Sequence, residues 1–190
     1  MVLFVNACVR KGSRTKRLAD SLLAALNAHA YELQLAEHSF PAVDEAFLNK
    51  RDRLIKERDF GDPMFELARQ FALADEIVIA APFWDLSFPA VLKQYFEAIN
   101  AVGITFRYTE DGIPVGLCKA STLYYVTTAG GDFLPESYGY GYVKALAENF
   151  YSIRKVELIK AAGLDIEGAD VEGILLSCEK DIVRRFRKAD

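Results

Sequence analysis

No Gly-x-Gly-x-x-Gly follows the first apolar stretch of this 190-residue chain, and no Gly-x4-Gly-Lys-Ser/Thr occurs in it. The first absence removes an ordinary dinucleotide pyrophosphate site at that position, and the second removes a Walker-type nucleotide site. Cysteine is scarce. Cys8, Cys118 and Cys178 cannot form a fully paired disulfide framework, and their wide spacing lacks the close ligand pairs of a zinc site. A reducing cytoplasm is the expected compartment. No apolar run is long enough to span a bilayer, and no basic stretch precedes an apolar one at the start, so neither membrane insertion nor a leader is expected. Positive charge is not in excess. The net charge of −4 argues against a general nucleic-acid binder.

What is present is a globular composition, 52% hydrophobic and 26% charged, over a length that fits one domain, residues 1–190. Met1 to Asn6 reads as a buried strand. Leu18, Leu22 and Leu26, with Ala19 and Leu23, set one face of a helix from about Thr15 to His29. Tyr31 to Ala36 reads as a second strand, and the charged stretch from about Val43 to Arg58 as an exposed helical excursion. Asp62-Pro63 opens another helix with Phe65, Ala68 and Ala72 along one side. Glu76 to Ala81 is the clearest buried strand, and Pro89 starts the helix carrying Leu92, Phe96 and Ile99. Asp111-Gly112 favours a hairpin between Thr105–Tyr108 and Ile113–Leu117. Ser121–Thr128 and Val156–Ala161 complete the strands, with helices near 141–151 and 169–187. Such alternation implies a parallel sheet covered by helices on both faces, an α/β architecture. Ligands then bind outside the carboxyl ends of the strands, at a switch point.

Loops expected at that edge carry the candidate site. In the first, Gly12-Ser13-Arg14-Thr15 follows Arg10 and Lys11. Ser13 and Thr15 offer hydroxyls, and the helix start offers backbone N–H groups to a phosphate. The plainer reading is a capped helix with a solvated basic face. In the second, Pro82-Phe83-Trp84-Asp85-Leu86 places large apolar groups past a strand end, where they can line a flat ring or simply pack. In the third, Thr127-Thr128-Ala129-Gly130-Gly131 ends in paired glycines, which permit positive φ and close backbone approach, or only a turn.

Several of these stretches together resemble the flavodoxin-like NAD(P)H dehydrogenase (quinone) and FMN-dependent azoreductase family. The likeness runs from Val2 to about Leu164. It is strongest at Ala81–Trp84, at Pro89–Phe96 and at Gly103–Tyr108, and continues through Thr109–Gly112 and Gly116-Leu117. The resemblance implies a flavodoxin-like three-layer sandwich with a five-stranded parallel sheet. It implies bound FMN, NADH or NADPH as co-substrate, and a quinone or azo-type acceptor. A homodimer with active sites at the subunit interface is also implied. By position, Ser13 and Thr15 resemble phosphate contacts through hydroxyls, with Arg14 between them contributing backbone. Pro82 to Leu86 resembles the segment along the isoalloxazine ring, a backbone N–H near Asp85 or Leu86 approaching N5. Thr128, Ala129, Gly130 and Gly131 resemble the pyrimidine-edge segment. No protein nucleophile is implied. His29 and His38 fall in the wrong region to match the active-site histidine of the animal quinone reductases, and Tyr138 and Tyr140 lie near the right loop without a residue-by-residue match.

Two other readings stay open on sequence. Cys8-x5-Arg14-Thr15 has the spacing of the low-molecular-weight tyrosine phosphatases, and Asp62-Pro63 resembles their general-acid pair, although it comes far too early in the chain. A non-catalytic FMN electron carrier would be monomeric and strongly acidic, which a net charge of −4 is not.

Overall fold

A computed structural model describes residues 1–187; the expected domain end at 190 lies outside the described residues. Five strands form one parallel sheet: β1 (Val2–Asn6), β2 (Ala30–Gln34), β3 (Glu76–Ala80), β6 (Thr122–Thr128) and β7 (Lys155–Ala161), in the order β2-β1-β3-β6-β7. The expected hairpin is separate, with β4 (Phe106–Tyr108) antiparallel to β5 (Pro114–Gly116). Being two-stranded, it has only edges, which accommodates Pro114.

Alternation along each inner strand explains the layers, since successive side chains of a strand point to opposite faces. Val2 and Phe4 of β1, with Val78, Ala80, Tyr124 and Val126, pack against α1 (Arg14–Ala25) and α6 (Val171–Phe186). Leu3 and Val5, with Ile77, Ile79, Leu123 and Tyr125, pack against α3 (Glu66–Leu73), α4 (Ala90–Ile99) and α5 (Tyr140–Asn149). The excursion is helical as expected, α2 (Glu45–Glu57), and Leu54 is its one buried side chain.

The first helix ends four residues short of the expected His29. Asn27 turns left-handed at φ 48°, its N–H bonds Ala24 O at 3.1 Å, and the Ala28 N–H bonds Leu23 O at 3.3 Å. Those two bonds satisfy the last carbonyls and stop the helix. The chain leaves β1 toward β2 on one side and later returns to β3 on the other. The loops after β1 and β3 therefore flank a switch point at the carboxyl edge. Among the described residues no helix is long and apolar enough to cross a membrane.

Candidate functional site

The loop after β1 is built by local rules. Gly12 adopts φ +72° with open space around its missing Cβ, so backbone conformation rather than room demands glycine there. Ser13 then caps α1, its Oγ accepting from the Lys16 N–H at 3.3 Å. Asn6, fully buried at the end of β1, accepts the Cys8 N–H through Oδ1 at 2.9 Å and donates to Glu32 Oε1 at 2.8 Å. It braces the loop from below.

Three contacts join this loop to its neighbours. The Thr15 and Thr128 hydroxyls share a buried hydrogen bond of 2.6 Å. The Phe83 N–H donates to Thr128 O at 2.9 Å. Arg14 Nη1 donates to Leu164 O at 3.0 Å and to Asp165 Oδ1 at 2.7 Å. The expected loops thus meet, and the loop after β7 joins them. Together they enclose a cavity of about 410 Å³, within the usual size range for a small-molecule site.

Ten of the expected site residues line this cavity: Arg10, Ser13, Arg14, Thr15, Pro82, Phe83, Trp84, Thr128, Ala129 and Gly130. Asp85, Leu86 and Gly131 are exposed and lie beyond the lining. The physical reason at Asp85 and Leu86 is a tight turn. Trp84 and Ser87 exchange both backbone hydrogen bonds, at 3.1 and 2.7 Å, and Asp85 and Leu86 take φ 50° and 62° at its tip. Paired left-handed residues are the two-residue turn geometry that suits strand twist.

The glycine pair also differs from expectation. Neither Gly130 nor Gly131 has a positive φ. What Gly130 spares is a contact: a Cβ there would sit 2.3 Å from Asp165 Oδ2 and make that side chain shift. The carbonyls of Ala129, Gly130 and Gly131 accept from Leu164, Asp165 and Gly163, at 3.3, 2.8 and 3.0 Å. The N–H groups of Gly130 and Gly131 take no part in those bonds and remain available as donors.

Asn6, Leu164 and Asp165 are the residues that sequence reasoning missed. The rule that every strand's carboxyl end contributes a loop, applied to the fifth sheet strand as to the others, points to Leu164 and Asp165.

The geometry disfavours the phosphatase reading. Cys8 is 3% exposed, and burial pushes its thiol up, against the smaller opposing influence of Ser13 and Lys16. A nucleophilic cysteine needs the reverse. The Arg14 side chain is committed to Asp165. Asp62 lines a different cleft, of about 670 Å³, beside Phe47, Lys50 and Leu67. It caps the turn at Met64, a bond that with nearby Lys50 holds its carboxyl below the usual range, so it is no proton donor.

Known proteins resemble this chain over most of its length. A family described as flavodoxin-like fold matches residues 1–185. The chain is 35% identical over 183 residues to an FMN-dependent NADH:quinone oxidoreductase of Coprothermobacter proteolyticus, covering 90% of each. It is 32% identical to a protein of the same name in Clostridium beijerinckii, covering 92% of this chain and 91% of that one. The crystal structure of an azoreductase from Bacillus anthracis superposes with a TM-score of 0.84 at 26% identity, over 99% of both chains.

Proposed function

This chain belongs to the family of flavodoxin-like fold, and from that membership we propose that it is an FMN-dependent oxidoreductase. It carries hydride from NADH, the donor named in its relatives, or from NADPH, to a quinone or azo-type acceptor. The observation that carries this reading is the cavity itself, where the loops after β1, β3, β6 and β7 meet at the switch point.

The residues present suit FMN. At one end are Ser13, the start of α1 and the cations Arg10 and Lys11, a donor set for a phosphate. The Thr15 hydroxyl bonds Thr128, and since each hydroxyl has one proton and two lone pairs, the pair keeps a proton free for a further acceptor. Arg14 offers its backbone, its side chain being held by Asp165. Along the cavity, Pro82, Phe83 and Trp84 supply apolar wall for a ring system. When bound, the isoalloxazine supplies the two-electron chemistry that amino-acid side chains lack. The chain would orient it, with the N–H of Gly130, at the cavity lining, and of Gly131 next to it as our assigned donors toward negative charge at the ring's pyrimidine edge. A backbone N–H near Asp85 or Leu86 is the donor we assign to the opposite edge.

A homodimer completes the reading. Trp84, Leu86, Phe133 and Tyr138 are 38%, 48%, 66% and 46% exposed around the site's edge. So much apolar surface beside a site fits cover by a second copy. All three cysteines are free, in keeping with a cytoplasmic location. Purified protein is expected to be yellow and to oxidise NADH when given a quinone. Colourless protein that cannot be reconstituted with FMN would sink the reading.

A further inference from the structure

Phe83 also lines a second, small pocket of about 10 Å³, together with Tyr125, Thr127, Glu136, Tyr138 and Lys160. That volume is about what one water molecule requires. Phe83 lines both this pocket and the larger cavity.

Tyr125 and Thr127 stand two apart on β6 and therefore point to the same face. They are 1% and 2% exposed, and neither hydroxyl has a hydrogen-bond partner. Burial raises the Tyr125 phenol, and the Thr127 hydroxyl beside it offsets part of that rise. Two neighbouring buried hydroxyls without a protein partner are costly, and an ordered water is the usual partner for such groups.

The position has consequences. The missing Cβ of Gly139 marks a point 3.4 Å from both Tyr125 Oη and Ser87 O. The phenol thus lies where the Trp84–Ser87 turn meets the loop 132–139. At the rim, Lys160 Nζ pairs with Glu136 Oε1 at 2.9 Å.

We infer that this pocket binds one water molecule, held by Tyr125 Oη and Thr127 Oγ1, and that through it β6 positions the Trp84–Ser87 turn, whose Trp84 lines the larger cavity, and the loop 132–139 beside that turn. Tyr125 and Thr127 are then positioning residues. The second part rests on the FMN reading above, while the first does not.

The test compares the unmodified protein with Tyr125→Phe, Thr127→Val and the double variant. Each single variant leaves the water one partner short, and the double variant leaves a dry apolar pocket. Each single change is expected to lower the folding equilibrium constant about tenfold in urea titration, and the double variant to recover most of it. A high-resolution crystal structure is expected to show one water about 3 Å from both hydroxyls, absent in the double variant. Thr127→Ser, which keeps the hydroxyl, is expected to keep the water and the stability. In the FMN-loaded enzyme, the visible band and the KM for the acceptor are expected to move in both single variants at unchanged kcat, and to return in the double variant.

Single variants that stabilise, with effects that add, would mean a dry pocket and overturn the water. Coupling without water density would mean a direct Tyr–Thr bond and overturn it equally. Coupling with density but an unmoved spectrum and KM would overturn the positioning role. If the protein binds no FMN, urea titration and density still decide the water site.

Discussion

Gly130 and Gly131 are adjacent and face opposite constraints. Alanine at 130 would put its Cβ against Asp165 Oδ2, whereas nothing lies within 4 Å of a Cβ at 131. The Asp165 side chain is 70% exposed and able to swing away, at the cost of its 2.7 Å pairing with Arg14. Gly130→Ala is therefore expected to weaken FMN retention about tenfold, the cost of one charge-assisted contact. Gly131→Ala is expected to change stability by less than about 0.5 kcal/mol. Fluorescence titration of FMN with urea unfolding of the same variants separates the two. Ser13 and Thr15 carry structure as well as chemistry. Ser13→Ala removes a cap worth about 1 kcal/mol, and Thr15→Ala takes from the buried Thr128 hydroxyl its partner in the 2.6 Å bond. The double variant is expected to lose FMN even where it is fully folded. Flavin affinity that stays unchanged there would move the phosphate site elsewhere. The types of residue at this site were legible in the sequence. Which role each would take was not: Arg14 and Asp165 are 151 positions apart, and no local pattern links them.

At the scale of elements, the Trp84–Ser87 turn holds stored strain. Left-handed φ costs an L-residue about 1–2 kcal/mol, and Leu86 adopts it at φ 62°. Leu86→Gly is expected to raise unfolding free energy by about 1 kcal/mol, read by urea denaturation. Strained turns of this kind cluster at ligand sites, where neighbouring structure holds them. Strands and helices were largely legible because their apolar periods differ. Endings were less so. Leu26 continues the helical face and supports a helix running past it, but the left-handed Asn27 stops it. Asp62-Pro63 does open a helical segment, first as a short tight turn over Pro63–Phe65 and only then as α3.

For the whole molecule, the acid limb of stability has an identifiable contributor. Asp75 sits just before β3, at the sheet edge opposite the site. It pairs with Lys119 Nζ at 2.6 Å and with the Met1 amine, and its backbone carbonyl accepts the Ser121 N–H at 2.9 Å. Lys119 first, then the terminal amine, pulls its carboxyl down to about 2. A depressed carboxylate contributes stability above its unfolded value, about 3.9, and that contribution is lost as pH falls toward the folded value. Asp75→Asn is expected to be less stable at neutral pH and to lack the loss between about pH 4 and 2. The two unfolding curves should converge below that window; parallel curves would refute the assignment. Sedimentation velocity is expected to find a two-chain particle whose dilution lowers NADH oxidation. A single-chain particle at every concentration would remove the homodimer.

By itself the sequence determined the layers and the sheet edge at which the candidate loops gather. Val2 and Phe4 alternate with Leu3 and Val5, all buried, and a strand apolar on both faces has to lie inside a parallel sheet with helices on each side. The tertiary structure alone decided which polar groups meet: Thr15 with Thr128, Arg14 with Asp165, and Tyr125 and Thr127 facing one small pocket. Periodicity is a short-range property of the chain. A hydrogen bond depends on ångström-scale placement, which strand order and the packing of distant loops set together. The loop after β1 offered Cys8, Ser13, Arg14 and Thr15 for a phosphate or a nucleophile. Burial of Cys8 and the tie from Arg14 to Asp165 count against the nucleophile, and leave the hydroxyls of Ser13 and Thr15 and the loop backbone as the phosphate donors we propose.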